Sequence, residues 1–253
     1  MHITAIYSLP EKKELLAATL ATALEATVYE ARSRLNSPGQ GPIVVGVSAA
    51  IGKAEELLTR LRASGFDAVL LKDDEIETDA DWFVVRKFRL GADALTVESG
   101  TEESLSVDYS SIDLIIRGTS IAQTTLTENV KEKKFDPGMA LVTGGLKMTK
   151  TTEKVLESTT QTREGFFLLY AGDQQTLVFR ESRLGYDSLG AALQKTRQAN
   201  FSSLLEALRR HSPDALYDDR LLTRAGQIQL LGPSLIPEKY LNIAISLLAK
   251  LLK

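Results

Sequence analysis

Apolar and polar residues alternate most persistently in one central stretch of the chain, which runs from Trp82 to Ser120. A repeat of two residues is typical of a β-strand with one buried face. Turn-forming residues at 91–93 and 100–103 divide this stretch into short segments. Strands spaced so closely pair as an antiparallel meander, so the pattern predicts a sheet with one face packed on a core.

The first part of this stretch is expected to form one uninterrupted strand whose side chains alternate between two faces. One face would carry Trp82, Val84, Phe88 and Leu90, and the other Phe83, Val85, Lys87 and Arg89. Further along, the segments GFFLLY and QTLVFR are separated by residues 171–173, Ala-Gly-Asp, which predicts a β-hairpin. Apolar residues spaced three and four apart then predict an amphipathic helix from Ala199 to Arg210.

The N-terminal segment alternates between strand and helix patterns. Residues 1–7 alternate with a period of two and predict a strand with one face to bury, and leucines from Leu16 onward predict a helix. Thr27 and Glu30 have the spacing of a capping box, which opens a second helix. The predicted order β-α-α-β-α-β is completed by a strand at 42–47, a helix ending at Gly65 and a strand at 68–71.

Two segments connect or follow these parts. The connector KDDEIETDAD at 72–81 is rich in carboxylates but lacks the turn glycine and the terminal glutamate of a calcium loop, so we expect a solvated linker. Apolar residues cover more than half of the girth of a helix predicted from Glu238 to Leu252. Such a helix should pack between two domains or against a subunit partner.

About 45 residues separate the strand that ends near Arg117 from the one that starts near Gly165, far more than an ordinary connection of about 4–6 residues. The flanks of this insertion are rich in threonine, valine and lysine, which favour strands with charged edges. Asp136, Pro137 and Gly144 have the positions of an N-cap, a first helical residue and a stop signal. We therefore predict a two-stranded arm at 121–163 that carries a small helix at its tip.

Ten residues of this insertion are the candidate partner-binding residues. They are the apolar Phe135, Met139, Leu141, Val142 and Leu146 and the basic Lys131, Lys133, Lys134, Lys147 and Lys150. An isolated two-stranded arm buries apolar side chains poorly, so we expect a second copy of the chain, as in a homodimer, or another protein to cover them.

Two alternatives to self-association stay open. The lysines suit a membrane surface, but the interspersed Glu128, Glu132, Glu153 and Glu157 dilute the positive charge, and we favour self-association. The insertion would otherwise be a threonine-rich loop that folds back on its own domain.

Composition narrows the chemistry that the chain can perform. Its 253 residues contain no cysteine and two histidines, which leaves no disulfide, no thiolate nucleophile and a poor basis for a histidine metal site. The net charge of −3 provides no global basic field, so we expect no nucleic-acid partner. We also expect no cofactor and no metal. The N-terminus lacks the pattern of a signal peptide, which predicts a cytoplasmic protein.

Motifs of enzymes are incomplete in this sequence. The segment GVSAAIGKA only approximates a phosphate loop, because five residues instead of four separate Gly46 from Gly52; Ser48 is expected simply to turn the chain into a helix. Asp218 and Asp219 beside Arg220 suit capping and an ion pair better than acid–base catalysis. A hydrolase-type enzyme with carboxylates in an interdomain cleft is therefore the alternative to a non-enzymatic binding or scaffold protein.

Two segments resemble known families. The run EATVYEARSRL, with the later GVSAAIGKAEELLTRLRASGFDAVLL, resembles the C-terminal domain of the ribosomal stalk protein of the large subunit over about the first 72 residues. That resemblance implies the fold alone, since Glu55 and Glu56 interrupt the basic helix face that the family uses. The phrase LSVDYSSIDLIIR, within strands followed by one helix, resembles a bacterial pleckstrin-homology-like domain over about residues 82–212. That fold serves lipid, peptide and protein binding alike.

The sequence thus predicts an α+β protein. A small stalk-protein-like β-α-α-β-α-β domain would occupy residues 1–78. A pleckstrin-homology-like antiparallel β domain would occupy 82–212 with the insertion 121–163, and a C-terminal helical extension would occupy 213–253.

Overall fold

Helices and sheets both contribute to the structure, which therefore belongs to the α+β class. The computed structural model describes residues 1–7, 13–35, 41–101, 103–135 and 149–253. The chain divides into two compact units, a body of residues 1–120 and 164–253 and a second unit of residues 121–163, called the arm below.

The first six elements follow the predicted order. They are β1 (His2–Tyr7), α1 (Lys13–Leu24), α2 (Val28–Leu35), β2 (Ile43–Ser48), α3 (Ile51–Ala63) and β3 (Asp67–Leu71). The three strands form an antiparallel sheet of order β2-β1-β3.

Two local predictions about helix ends are confirmed. The Thr27 hydroxyl accepts a hydrogen bond from the backbone N–H of Glu30 at 3.2 Å, and the Glu30 carboxylate accepts one from the N–H of Thr27 at 2.9 Å. This reciprocal pair is a capping box and starts α2. Gly65 follows α3 with a φ of +83°, the left-handed conformation that glycine adopts without a side-chain clash.

Strand β1 is buried on both faces, so the expectation of a single buried face is wrong. Ile3 and Ala5 pack with Leu248 and other residues near the C-terminus, whereas Ile6 packs with Leu20 of α1. The central position of β1 in a sheet that is covered on both sides explains why even Thr4, the polar residue of the alternation, is only 1% exposed.

The remaining elements alternate strands with a few helices. They are β4 (Phe83–Val84), β5 (Lys87–Leu90), β6 (Ala94–Glu98), β7 (Ser104–Asp108), β8 (Ile112–Phe135), β9 (Thr149–Ala171), β10 (Leu177–Arg180), α4 (Arg197–His211), β11 (Leu216–Leu221), α5 (Arg224–Leu231) and α6 (Pro237–Leu252). Strands β5-β6-β7 form an antiparallel meander, and a five-stranded sheet has the order β11-β8-β9-β10-β4.

The stretch that begins at Trp82 changes sheets after four residues. Val85 donates its backbone N–H to Val178 of β10, at 3.0 Å, whereas the next residue, Arg86, donates to Glu98 of β6, at 2.8 Å. The prediction of one strand with two constant faces is therefore wrong, because its first half belongs to one sheet and its second half to another. Phe88 and Val85 consequently face the same core, although they lie three positions apart and an unbroken strand would point them to opposite faces.

The predicted hairpin and the helix that follows it are both confirmed. Strands β9 and β10 pair antiparallel with Leu169 opposite Leu177, and Gly172 in the turn has a φ of +50°. Helix α4 covers the core that this hairpin shares with the meander, and it buries its predicted apolar stripe there. The stripe consists of Phe201, Leu204, Leu205 and Leu208.

Helix α6 packs between the two main sheets of the body. Its buried residues Ile243, Leu247 and Leu248 belong to one apolar cluster with Ile3 of the N-terminal sheet and Leu168 of the five-stranded sheet. The prediction placed this helix between two domains or against a subunit partner, and the structure places it between two sheets of a single compact body. The two sheets thereby share a core.

Most residues of the acidic connector are exposed, as expected of a solvated linker, but Glu77 and Glu75 also join it to neighbouring elements. The Glu77 carboxylate accepts hydrogen bonds from the indole N–H of Trp82, at 2.7 Å, and from the hydroxyl of Tyr170, at 3.0 Å. The backbone N–H of Glu77 donates to the Ser246 hydroxyl in α6, at 2.9 Å. Lys250 of α6 also pairs with Glu75 at 2.6 Å, so the connector ties α6 to the five-stranded sheet.

Candidate functional site

The longest strands of the protein lead out of the body and into the arm. β8 continues for fifteen residues beyond Ser120, to Phe135, and β9 begins at Thr149, fifteen residues before Glu164. The prediction that both flanks of the insertion form strands is confirmed over these ranges. At about 3.3 Å per residue, fifteen residues of strand are about 50 Å long.

Within the body these two strands are antiparallel neighbours. Asp113 accepts a hydrogen bond from the N–H of Gly172 at 2.8 Å, and Ser120 donates from its hydroxyl to the carbonyl of Glu164 at 3.5 Å. Residue numbers therefore rise along β8 as they fall along β9. The last body residues of both strands, 118–120 and 164–166, are called the root of the arm below.

A buried glutamine holds the root. Gln227 of α5 is 2% exposed, and its side-chain amide donates to the carbonyl oxygens of Thr119 and Leu221, each at 2.7 Å. The Thr119 hydroxyl in turn donates to the carbonyl of Leu222 at 3.1 Å. Because Leu221 belongs to β11, which pairs with β8, these bonds join helix α5 to β8 at the root and to the neighbouring strand β11.

Close packing at Gly118 also restrains the root. A Cβ atom at Gly118 would lie 2.5 Å from the ring of Phe166 and 2.9 Å from Cβ of Leu221, closer than carbon atoms can approach. Only glycine therefore allows β8 to lie between its two neighbours at this level.

The second strand of the root is anchored as well. The carbonyl of Gly165 accepts a hydrogen bond from the N–H of Glu181 at 2.9 Å. The Glu164 carboxylate accepts hydrogen bonds from the backbone N–H of Ser182, at 3.2 Å, and from the hydroxyl of the same residue. Both strands thus leave the body from positions that side-chain and backbone bonds define.

The ten predicted partner-binding residues lie outside the part of the chain whose side chains the structure describes. The backbone of Lys131, Lys133, Lys134, Phe135 and Lys150 belongs to β8 and β9. The other five, Met139, Leu141, Val142, Leu146 and Lys147, and the predicted tip helix, lie outside the described residues altogether.

Other residues that the sequence singled out have structural partners in the body. Asp218 accepts hydrogen bonds from the Arg220 guanidinium at 2.7 Å and from the Arg220 backbone N–H at 3.0 Å, as expected for an ion pair. Ser48 bonds to the N–H of Ala50 at 3.1 Å and turns the chain into α3, also as expected. The ring of His211, at the end of α4, stacks on the ring of Tyr109 with centroids 4.3 Å apart.

Sequence reasoning missed the root residues. The only available signal was Gln227 in the segment QIQLL. This glutamine lies three and four positions before two leucines, which indicates a polar side chain on a face that should be buried. In the described ranges no three acidic or histidine side chains come together as a metal site.

No family model, no curated protein and no solved structure matches this chain. Of the helices in the described parts of the chain, none combines the length and the apolar character needed to cross a membrane.

Proposed function

We propose that the protein is a non-enzymatic binding or scaffold protein that associates with itself through the arm, residues 121–163. One observation supports this proposal above the others. Two strands of the body continue, fifteen residues each, into a second compact unit of residues 121–163.

The energetics of a two-stranded unit support a partner. Two strands without a third strand or a covering helix are marginal in water, and each has an outer edge of unpaired backbone groups. The end of β8 and the sequence between the strands also contain several large apolar residues, including Phe135, Met139 and Leu141. Burial of each such side chain stabilises a complex by about 1.5–3 kcal/mol, which a second copy of the chain would supply.

A deletion tests the proposal directly. Residues 122–162 are replaced by the dipeptide Asn-Gly, which forms the tight turn of a hairpin. The neighbouring positions of Ser120 and Glu164 make this closure compatible with the root. We expect the intact chain to have twice the mass of one chain, or a higher multiple, in light scattering, and the deletion variant to be a monomer.

Controls separate loss of association from loss of folding. Trp82 is the only tryptophan, is buried and belongs to the body, so its fluorescence and the thermal transition report whether the body remains folded. A second variant replaces only residues 136–148 by Asn-Gly and retains both strands. Self-association that depends on the tip is lost in both variants. If the intact chain and the deletion variant are both monomers, self-association through the arm is wrong.

Membrane binding is the competing use of the same arm. Five lysines at and near the tip of the arm favour an anionic surface. Co-sedimentation with vesicles that contain phosphatidylserine measures this directly, and neutral vesicles are the control. Pelleting only with anionic vesicles, abolished by the 122–162 deletion, would replace self-association by membrane binding as the function of the arm.

The finer architecture and the location are part of the proposal. The order β-α-α-β-α-β supports a stalk-protein-like fold for residues 1–78, and the meander, hairpin and helix α4 support a pleckstrin-homology-like domain at 82–212. Residues 213–253 would extend the second domain, and the protein would act in the cytoplasm. Superposition of an experimental structure on both families tests the folds, and fractionation of expressing cells tests the location.

A further inference from the structure

A surface cavity of about 480 Å³ lies beside the C-terminal end of α4 and next to the start of β11. It is lined by Glu206, Arg209, Arg210, Ser212, Pro213 and Tyr217, among others. A second cavity, of about 360 Å³, shares Ser212 and Pro213 with the first. The turn that follows α4 therefore separates two adjacent openings.

Arg209 is held in a defined position at the first cavity. Its guanidinium carbon lies 4.0 Å from the centroid of the Tyr217 ring, a stacked cation–π arrangement. A guanidinium stacked on a ring directs its N–H groups outward in the ring plane, where they can bind the two oxygens of an anion.

Neither Arg209 nor Arg210 has a carboxylate partner within 4 Å among the described residues. Glu206 also lines the cavity but forms no ion pair with either arginine, and Asp218 of β11 pairs with Arg220. The two arginines are therefore not held in ion pairs by the part of the chain that the structure describes.

Basic residues at the end of a helix also complement its dipole, which accounts for the charge of Arg209 and Arg210 without a ligand. The dipole explains neither the cavity nor the stacking of Arg209 on Tyr217. From these features together we infer that the cavity binds a compact oxyanion group of a small molecule, a phosphate or a carboxylate, through Arg209 and Arg210. This site goes beyond the proposed function and does not depend on the arm.

The test uses the intact chain and two probes, inorganic phosphate and acetate, each titrated against sodium chloride at matched ionic strength. Calorimetry and the thermal transition followed by Trp82 fluorescence measure binding. We expect at least one probe to bind and to raise the Tm above the chloride value. If only phosphate binds, the ligand group is a phosphate, and if only acetate binds, the ligand group is a carboxylate. The absence of any effect beyond chloride for both probes overturns the inference.

Variants locate the site. R209Q and R210Q are each expected to weaken binding about tenfold, the loss of roughly one charge-assisted hydrogen bond. Arg183 and Arg32 are exposed arginines on other elements, so R183Q and R32Q are the matched controls and should bind like the unchanged chain. Equal weakening in the controls, or unaltered binding in R209Q and R210Q, overturns the inference.

Discussion

The hydroxyl of Tyr170 donates a hydrogen bond to the carboxylate of Glu77, with 3.0 Å between the oxygen atoms, although 93 positions separate the two residues. Tyr170 is fully buried in the five-stranded sheet, and Glu77 belongs to the acidic connector. This bond joins the connector to the five-stranded sheet.

Tyr170→Phe is expected to lower the free energy of unfolding by about 1–3 kcal/mol, because it removes the hydroxyl and leaves the partly buried Glu77 with fewer donors. Urea denaturation followed by Trp82 fluorescence measures the change. A cycle with Glu77→Ala and the double variant isolates the coupling between the two side chains. Additive effects of the two substitutions would show that the hydrogen bond contributes nothing.

The stability of the protein should fall at alkaline pH. Burial, with a smaller contribution from the Glu77 carboxylate, raises the pKa of Tyr170, and burial likewise raises the pKa of Tyr186 and Tyr109. Tyrosines in the unfolded chain ionise near pH 10, so above about pH 10 the unfolded state releases protons that the folded state retains. The stabilisation is complete below that pH and is lost as the pH rises above it.

Unfolding free energies at several values between pH 8 and pH 11.5 test this dependence. Tyr170→Phe should make the decline above pH 10 less steep. Tyr29→Phe is the matched control, because Tyr29 is 82% exposed. An identical decline in the unchanged chain and in Tyr170→Phe would contradict the role of Tyr170.

Gln227→Ala should weaken the root of the arm. The substitution leaves the carbonyl oxygens of Thr119 and Leu221 without their donor, which costs about 1–3 kcal/mol for each buried group that finds no other partner. Chemical denaturation measures the loss, and hydrogen exchange at residues 118–120 shows whether it is local. Gln174→Ala, at an exposed glutamine in a turn, should change neither. Equal stability of the two variants would show that the hydrogen bonds of Gln227 do not stabilise the root.

Gly118→Ala and Gly52→Ala should have opposite effects. The added methyl at Gly118 meets the Phe166 ring at 2.5 Å and should destabilise by about 1–3 kcal/mol. The methyl at Gly52, within α3, meets nothing within 4 Å and should stabilise by about 0.5–1 kcal/mol. Phe166→Leu should partly relieve the first effect in a double variant. Thermal denaturation measures the three single variants and the double variant. An unchanged stability in Gly118→Ala would show that the root is not closely packed.

Several elements could be predicted because their signals are local. The capping box of Thr27 and Glu30 joins residues three positions apart, and the turn at Gly172 joins strands that are consecutive in the chain. The apolar stripe of α4 repeats within the helix itself. The insertion was recognised by its length, and its flanking strands by composition.

Other elements had no local signal. Strand β11 has the sequence LYDDRL, in which three consecutive charged residues obscure the alternation, and it forms only because β8 pairs with it from about 100 positions away. Helix α5, with Gly226 in its first turn, was also not predicted. Its Leu230 and Leu231 are buried in the cluster that contains α6.

The sequence by itself determined the α+β class, the ends of several helices, the hairpin and the presence of a long insertion, because hydrogen bonds and apolar periodicity act between neighbours. Only the tertiary structure decided which faces of β1 are buried, where the chain changes sheets at Val85, and how Gln227 holds Thr119. Each of those features depends on at least one contact between residues about 90 or more positions apart. Their energies arise only once packing has removed water from both partners, and no pattern within one segment encodes them.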